Sequence, residues 1–217
     1  MKDILLLGGF RFVRSSLRNL INSRLKAEVT PTEKITQIQK IANESKEGSA
    51  KANPSLIILD VSIPQSEGLE AFLDTKQAFA NVPILIINGS EDFDFAANYI
   101  RLGCNGYISK NYGIEEIIEG IQAVNTGEKY IKPEVLQRKS QLAQANRKVH
   151  DALSKRELQV FFKLANGKSI LNVANDLNIS TSTVSVFRSK ILKKMQFKNN
   201  ADLILYAKDQ HCLTEFN

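Results

Sequence analysis

The sequence predicts an α/β domain built on a five-stranded parallel sheet, followed by an all-α domain of four helices. In the first 126 residues, short apolar runs alternate with segments of helical periodicity, which is typical of parallel strands connected by helices. From Leu153 onward the periodicity is helical throughout. The polar residues 127–150 between these regions are interpreted as a linker, so we place the two domains at residues 1–126 and 151–217.

The predicted sheet rests on four clear apolar runs and one weaker run. The clear runs cover residues 4–7, 56–59, 84–87 and 106–108, and the weaker run covers residues 28–30. Unbroken apolar runs are typical of parallel strands that helices cover on both faces. Apolar residues at helical spacing mark a helix after the first strand and another after the last: Val13, Leu17, Leu20 and Ile21, then Ile114, Ile117, Ile118 and Ile121.

Polar or small residues stand where these strands end. In a parallel sheet the carboxyl ends of the strands share one edge, and ligand sites lie in the crevice beyond that edge. The sequence therefore predicts a single candidate pocket formed by Gly8, Gly9, Asp60, Asn88 and Lys110.

The net charge of +6 lies entirely in the C-terminal part of the chain. Residues 1–146 contain 17 basic and 17 acidic side chains, whereas residues 147–217 contain 12 basic and 6 acidic ones. A basic domain attached to a neutral one favours a polyanion as the partner of the basic domain. No apolar run approaches the ~20 residues that span a bilayer, and the apolar start of the chain is interpreted as a buried strand rather than a leader.

The composition also argues against several classes of protein. Cys104 and Cys212 stand far apart and belong to no CxxC motif or Cys/His cluster, which favours two inert thiols in a reducing cytoplasm. No nucleophile with a base, phosphate-binding loop or metal-ligand cluster is recognisable. We therefore expect a cytoplasmic protein without enzymatic activity, cofactor, metal or membrane association.

The C-terminal domain has the pattern of a helix-turn-helix motif. Ser154 and Glu157 have the spacing of a capping box at the start of the first helix. Residues 178–180 form a tight turn between a short second helix and the third helix, and Ser180 is the N-cap of the third. The third helix is predicted at residues 181–195 and the fourth at residues 200–210.

The third helix is predicted to bind double-stranded DNA. On a helical wheel, Val184, Phe187, Ile191 and Met195 face the core, and the opposite side carries small and basic residues with no acidic one. Small side chains allow close approach to base edges, and the basic residues Arg188, Lys190 and Lys193 are expected to contact phosphates or guanine edges. The residues expected to contact DNA are Ser182, Thr183, Ser185, Val186, Arg188, Ser189, Lys190 and Lys193.

This region resembles the LuxR-type helix-turn-helix domains. Residues 153–160 (LSKRELQV), 167–169 (GKS) and 177–184 (LNISTSTV) resemble their opening, turn and recognition helix, and residues 191–195 (ILKKM) continue the resemblance. The resemblance implies a DNA-binding domain. Ser185 and Phe187 replace the Lys and His that many members have at positions that often touch DNA, so we expect the helix to recognise an unusual DNA sequence.

The first domain resembles the receiver of two-component response regulators of the NarL/FixJ type, which has a flavodoxin/CheY-like fold. Residues 60–64 (DVSIP) with Gly68 resemble the phosphoacceptor loop, and residues 103–110 (GCNGYISK) resemble the stretch that ends in the receiver lysine. The resemblance covers residues 3–126 and implies that Asp60 occupies the phosphoacceptor position, with Tyr107 and Lys110 also matching.

Two departures indicate that this receiver has lost its usual chemistry. Receivers bind Mg²⁺ through an acidic pair after the first strand, because Mg²⁺ prefers carboxylate oxygens, but here the pair is Gly8-Gly9, which offers no side-chain ligand. The switch Ser or Thr that ends the fourth strand is replaced by Asn88. We therefore expect a pseudo-receiver in which Asp60 and Lys110 form a structural ion pair.

One branch of the same family binds cyclic di-GMP through an aromatic-apolar-hydroxyl-Arg motif just after the receiver. The corresponding residues 130–133 (YIKP) lack the hydroxyl and the Arg. We therefore expect Tyr130 to pack on the receiver rather than to bind a nucleotide.

The leading hypothesis is a dimeric, sequence-specific transcription regulator that binds promoter DNA without phosphorylation of Asp60. Two-fold operators need two recognition helices about 34 Å apart, which favours a homodimer. Its surfaces would come from the first and last receiver helices or from the fourth C-terminal helix. One alternative is a partner-dependent adaptor whose receiver docks RNA polymerase or a regulator protein. The other is a response regulator that is still phosphorylated on Asp60.

Overall fold

The computed structural model describes residues 3–32, 38, 41–42, 54–62, 65–89, 93–109, 111–133, 135 and 149–209. The chain divides into two compact units, the first made of Met1–Ile63 and Ala71–Ser140 and the second of Pro64–Glu70 and Gln141–Asn217. The predicted five-stranded α/β domain and the predicted all-α domain are both confirmed. Most of residues 127–150 lie outside the described residues, so the linker and the domain boundaries stay a prediction.

The first domain contains a parallel sheet with the strand order β2-β1-β3-β4-β5. The strands are β1 (Asp3–Gly8), β2 (Glu28–Thr32), β3 (Leu56–Asp60), β4 (Ile84–Asn88) and β5 (Gly106–Ser109). Each strand lies where its apolar run predicts it and extends at most two residues further. The edge strand β2 pairs with β1, and Pro31 is tolerated there because the strand lies at the edge of the sheet.

Helices cover both faces of this sheet. The described part of the domain contains α1 (Arg11–Leu25), α2 (Gln65–Ala78), α3 (Phe93–Leu102) and α4 (Ile114–Asn125). On one face, Ile21 of α1 and Ile121 of α4 pack against the buried strands. On the other face, Tyr99 of α3 lies between Tyr107 of β5 and Phe72 of α2, and its ring meets that of Phe72 edge-on at a centroid distance of 5.4 Å.

The second domain consists of helices only, within residues 149–209. A short 3₁₀ helix (Val149–Ala152) precedes α5 (Lys155–Ala165), α6 (Ile170–Leu177), α7 (Thr181–Met195) and α8 (Asn200–Asp209). Gln210, the predicted end of the fourth helix, lies outside the described residues. Buried side chains from all four α-helices form the core: Leu158, Phe161, Val173, Leu177, Val184, Ile191, Met195 and Leu203.

No helix within the described ranges is long and apolar enough to span a membrane. Cys104 is a free thiol, and 3% of it is exposed. Cys212 lies outside the described residues.

Glu157 connects the start of α5 to the end of α7. The predicted capping box is present, because Ser154 Oγ accepts from the Glu157 N–H at 3.3 Å and Glu157 Oε2 accepts from the Ser154 N–H at 2.7 Å. The same Oε2 accepts from Lys194 Nζ at 2.7 Å. Burial disfavours the charged carboxylate, but the hydrogen bonds from Lys194 and Ser154 outweigh it and hold the pKa of Glu157 below its usual value.

The substitution Glu157→Gln is expected to lower the free energy of unfolding by about 2 kcal/mol at neutral pH, because it removes charge-assisted hydrogen bonds. The folded-state pKa of Glu157 is lowered from 4.5, so its contribution is present above pH 4.5 and is lost as the pH falls through the folded-state value. Denaturant titrations of wild type and variant should therefore converge at acidic pH.

A matched control for this prediction is Glu119→Gln, which changes an exposed carboxylate on α4. We expect this variant to stay close to wild type at every pH. A Glu157→Gln deficit that persists unchanged in acid would contradict the role given to the charge of Glu157.

Candidate functional site

The candidate pocket forms where β1, β3 and β4 end. The parallel register pairs Gly8 with Asp60, whose side chain is fully buried, and Asn88 ends the neighbouring strand β4. Four of the five predicted pocket residues, Gly8, Gly9, Asp60 and Asn88, therefore lie at one edge of the sheet. Lys110 lies outside the described residues, so the ion pair between Asp60 and Lys110 stays a prediction.

The loop after β1 closes over the carboxylate of Asp60. Gly8 and Gly9 have φ angles of +76° and +72°, in the left-handed region that favours glycine. A Cβ atom on Gly9 would lie 2.0 Å from Asp60 Oδ2, and one on Gly8 would lie 2.5 Å from the main-chain oxygen of Asp60. The conformation that this loop adopts therefore excludes side chains at both positions where receivers carry acidic residues. The main-chain N–H of Ser62 donates to Asp60 Oδ1 at 3.0 Å.

Arg14 holds this loop from α1. Its side chain is 7% exposed, and its Nη1 donates to the carbonyl oxygens of Gly8 and Gly9. Arg14 was not predicted as a site residue, although it stands three residues before Leu17 and seven before Ile21 and therefore on the buried face of α1.

Asn88, which replaces the usual switch Ser or Thr, forms a hydrogen bond inside the domain. Asn88 Nδ2 donates to the hydroxyl of Tyr107 at 2.9 Å. Asn88 is 8% exposed and Tyr107 is 2% exposed. Breaking this contact would leave a buried amide or hydroxyl without that partner, which is unfavourable. The hydrogen bond therefore stabilises the buried position of the Tyr107 side chain.

The residues after α4 pack back onto the receiver, as expected for Tyr130, which packs against the core of the domain. The main chain of Tyr130 accepts from the Tyr107 N–H at 2.9 Å and donates to the Asn105 oxygen at 3.1 Å. Gly120 of α4 leaves room for the Tyr130 ring, because a Cβ atom there would lie 2.8 Å from it. Lys132 pairs with Glu116 of α4.

The N-terminus of α7 has the geometry that the sequence predicts. Asn178 ends α6 in the left-handed conformation, with φ of 50°. Ser180 caps α7, because its Oγ accepts from the Thr183 N–H at 3.1 Å. The Thr183 hydroxyl lies 2.7 Å from the same Oγ and its side chain is half-buried, so this predicted DNA contact takes part in the cap.

One side of α7 remains open to a partner. Val184, Ile191 and Met195 are buried as predicted, whereas Phe187 is half-buried rather than part of the closed core. The predicted contact residues other than Thr183 and Arg188 have exposed side chains: Ser182, Ser185, Val186, Ser189, Lys190 and Lys193.

The hydroxyl and ammonium groups on this face differ in their hydrogen bonds and ion pairs. Ser185 Oγ donates to the Thr181 oxygen at 2.9 Å, and Ser189 Oγ donates to the Ser185 oxygen at 3.0 Å. Each hydroxyl therefore presents acceptor lone pairs to the outside while its proton stays within the helix. Lys190 and Lys193 form no ion pair with another described residue, in contrast to Lys194, which is bound to Glu157.

Comparisons with known proteins match two families to the two domains. The family described as "Response regulator receiver domain" matches residues 4–122. The family described as "Bacterial regulatory proteins, luxR family" matches residues 151–207. The first match covers more than half of the chain.

Two curated proteins illustrate the similarity over both domains. The oxygen regulatory protein NreC of Staphylococcus carnosus is 31% identical over 163 residues, which cover 71% of this chain and 75% of NreC. The response regulator GacA of Pseudomonas aeruginosa is 29% identical over 157 residues, which cover 71% of this chain and 73% of GacA.

A solved structure shows the same fold. It is RcsB from Salmonella enterica serovar Typhimurium bound to promoter rprA in the presence of phosphomimetic BeF3-. The TM-score is 0.59 at 17% sequence identity, and the match covers 96% of this chain and 99% of RcsB. At this identity the likeness establishes the fold.

The closed loop makes Gly9 intolerant of any side chain. The substitution Gly9→Ala is expected to lower the free energy of unfolding by about 3 kcal/mol, because it combines a left-handed φ angle with a collision against Asp60. In an Asp60→Ala background most of the collision disappears, so the loss should shrink to about 1 kcal/mol in denaturant titrations.

A matched control for this prediction is Gly127→Ala. Gly127 has φ of +93°, and a Cβ atom there meets nothing within 4 Å. The control should therefore lose about 1 kcal/mol, with or without Asp60. Equal losses for Gly9→Ala and Gly127→Ala would show that the loop does not close on Asp60.

Proposed function

This chain belongs to the response regulators that combine a receiver domain with a LuxR-type regulatory domain, and we propose that it is a sequence-specific, DNA-binding transcription regulator that acts without phosphorylation of Asp60. It acts by binding rather than by catalysis, in the cytoplasm, as a homodimer on promoter DNA. The observation that carries the proposal is the capped helix α7, whose exposed face has small and basic side chains.

On α7, the residues that would give affinity for DNA differ from those that would recognise its sequence. Lys190 and Lys193 are exposed cations that neutralise backbone phosphates, which gives affinity without sequence information. Ser185 and Ser189 offer acceptors to the amino groups of adenine or cytosine, and the exposed Val186 suits the methyl group of thymine. These small side chains let the helix approach the floor of the major groove.

Independence from phosphorylation is supported by the closed pocket. Phosphoryl transfer to a carboxylate needs a cation to offset the charge on the phosphoryl oxygens. Gly8 and Gly9 supply no oxygen side chain, and the backbone of Gly9 occupies the space beside Asp60 Oδ2. The hydrogen bond between Asn88 and Tyr107 holds both side chains in place without a phosphate.

The substitution Lys193→Gln is expected to weaken DNA binding by removing one phosphate contact. The slope of log K against log salt concentration should fall by about 1 in magnitude, because each neutralised phosphate contributes about 0.9. Fluorescence anisotropy of full-length protein on a duplex selected from a random pool, at several KCl concentrations, measures this slope.

Lys208→Gln serves as the matched control, since Lys208 is an exposed lysine on α8. Its salt dependence should equal that of wild type. If Lys193→Gln leaves the slope unchanged while Lys208→Gln lowers it, the DNA surface is not the exposed face of α7. Absence of specific binding by the full-length chain alone would favour the adaptor that requires a partner protein.

The substitution Asp60→Ala is expected to leave the DNA dissociation constant within about twofold of wild type, a change of less than 1 kcal/mol. Treatment of wild type with acetyl phosphate and Mg²⁺ should have equally little effect, with no phosphoryl group on Asp60 by mass spectrometry. Stoichiometric labelling of Asp60 together with a tenfold gain in affinity would establish the alternative, a phosphorylated response regulator.

A further inference from the structure

The start of α8 carries two asparagines with different tasks. Asn199 caps the helix, because its Oδ1 accepts from the N–H groups of Ala201 and Asp202 at 2.7 Å and 3.1 Å. Asp202 Oδ2 accepts in turn from the Lys198 N–H at 2.7 Å. The helix is therefore capped without the side chain of Asn200, its first residue.

The side chain of Asn200 is directed to α7 instead. Arg188 Nε donates to Asn200 Oδ1 at 2.7 Å, and both side chains are half-buried. Arg188 makes no other hydrogen bond or ion pair with the residues that the structure describes. It stands between the buried Ile191 and the exposed Ser185 and Ser189, at the flank of the face that α7 presents.

This contact leaves the two terminal nitrogens of Arg188 for another partner. A guanidinium has five N–H donors, and the Asn200 contact uses the one on Nε. The two Nη atoms carry the other four donors, and together they can bind two oxygens of one phosphate. Lys190 and Lys193 are exposed cations on flexible stems, so Arg188 is the one of the three basic residues predicted to contact DNA whose position is fixed before binding.

We infer that Asn200 is a positioning residue for DNA binding, which fixes the guanidinium of Arg188 so that its Nη atoms bind one backbone phosphate. The inference rests on the proposed function of the α7 face. In this inference Arg188 contacts the phosphate backbone rather than a guanine edge. Asn200 gives α8 a role in DNA binding without itself contacting DNA.

The physical gain is pre-organisation. A free arginine side chain loses rotamer freedom when it binds a phosphate, and part of that loss has already occurred when Nε is bound to Asn200. The same hydrogen bond can also act as a clamp between α7 and α8. A clamp would affect stability and every contact of α7, whereas a positioning role acts through Arg188 alone.

A double-mutant cycle on full-length protein separates these roles. The variants are Asn200→Ala, Arg188→Ala and the double variant, with Asn22→Ala on the exposed side of α1 as a control. The probe is a duplex selected from a random pool by the wild-type protein, and anisotropy is measured at several KCl concentrations. Melting temperatures are measured in parallel.

For the positioning role, Asn200→Ala and Arg188→Ala each weaken binding by about tenfold and reduce the salt slope by about 1. The double variant binds no more weakly than Arg188→Ala, since Asn200 acts only through Arg188. The melting temperature of Asn200→Ala stays at that of the Asn22→Ala control.

Three results overturn the inference. The first is a double variant whose defect is the product of the two single defects, because Asn200 then acts independently of Arg188. The second is a lowered melting temperature with an unchanged salt slope in Asn200→Ala, which identifies a clamp. The third is wild-type affinity in either single variant. Failure of the wild-type protein to select any duplex would instead overturn the proposed function, and the inference with it.

Discussion

The parallel pairing of β1 with β3 is the constraint on which the candidate pocket depends. It fixes Gly8 opposite Asp60, so whatever follows β1 must pass beside that carboxylate. Two glycines in the left-handed region let the main chain itself fill this space, and the buried Arg14 holds the loop through its carbonyl oxygens. Loss of the acidic pair is therefore more than a missing ligand, because the loop conformation leaves no room for a side chain at Gly8 or Gly9.

The helical domain is organised by ion pairs at its helix ends. Glu157 connects the start of α5 with the last turn of α7. Asp176 of α6 accepts from Lys163 of α5 at 3.0 Å and from Lys168 at 2.8 Å. Burial disfavours the charged form of Asp176, but the bonds from Lys168 and Lys163 hold its pKa below the ordinary value. The Lys194 contact therefore links α7 to α5, and the Asp176 contacts link α5 to α6.

Much of this structure could be predicted from the sequence, because the signals are local. Four of the five strands contain unbroken apolar runs, and the caps at Ser154 and Ser180 depend on residues three positions apart. The contacts that the sequence analysis missed are tertiary. Arg188 and Asn200 meet across the connection between two helices, and neither residue type indicates the other. The pattern of Gly8-Gly9 revealed the missing ligands, but the left-handed closure on Asp60 required the path of the neighbouring strand.

The two sites together limit how such a protein can be controlled. A ligand shifts a conformational equilibrium only by as much as its affinity differs between the two states. If the loop that closes on Asp60 excludes Mg²⁺, as we propose, a phosphoryl group offers no such difference, while the α7 face is already capped and exposed in this structure. Control of DNA occupancy must then act on the amount of protein, on its dimerisation or on a partner. In each case the dissociation constant of the proposed DNA-binding face on α7 determines the concentration at which the control takes effect.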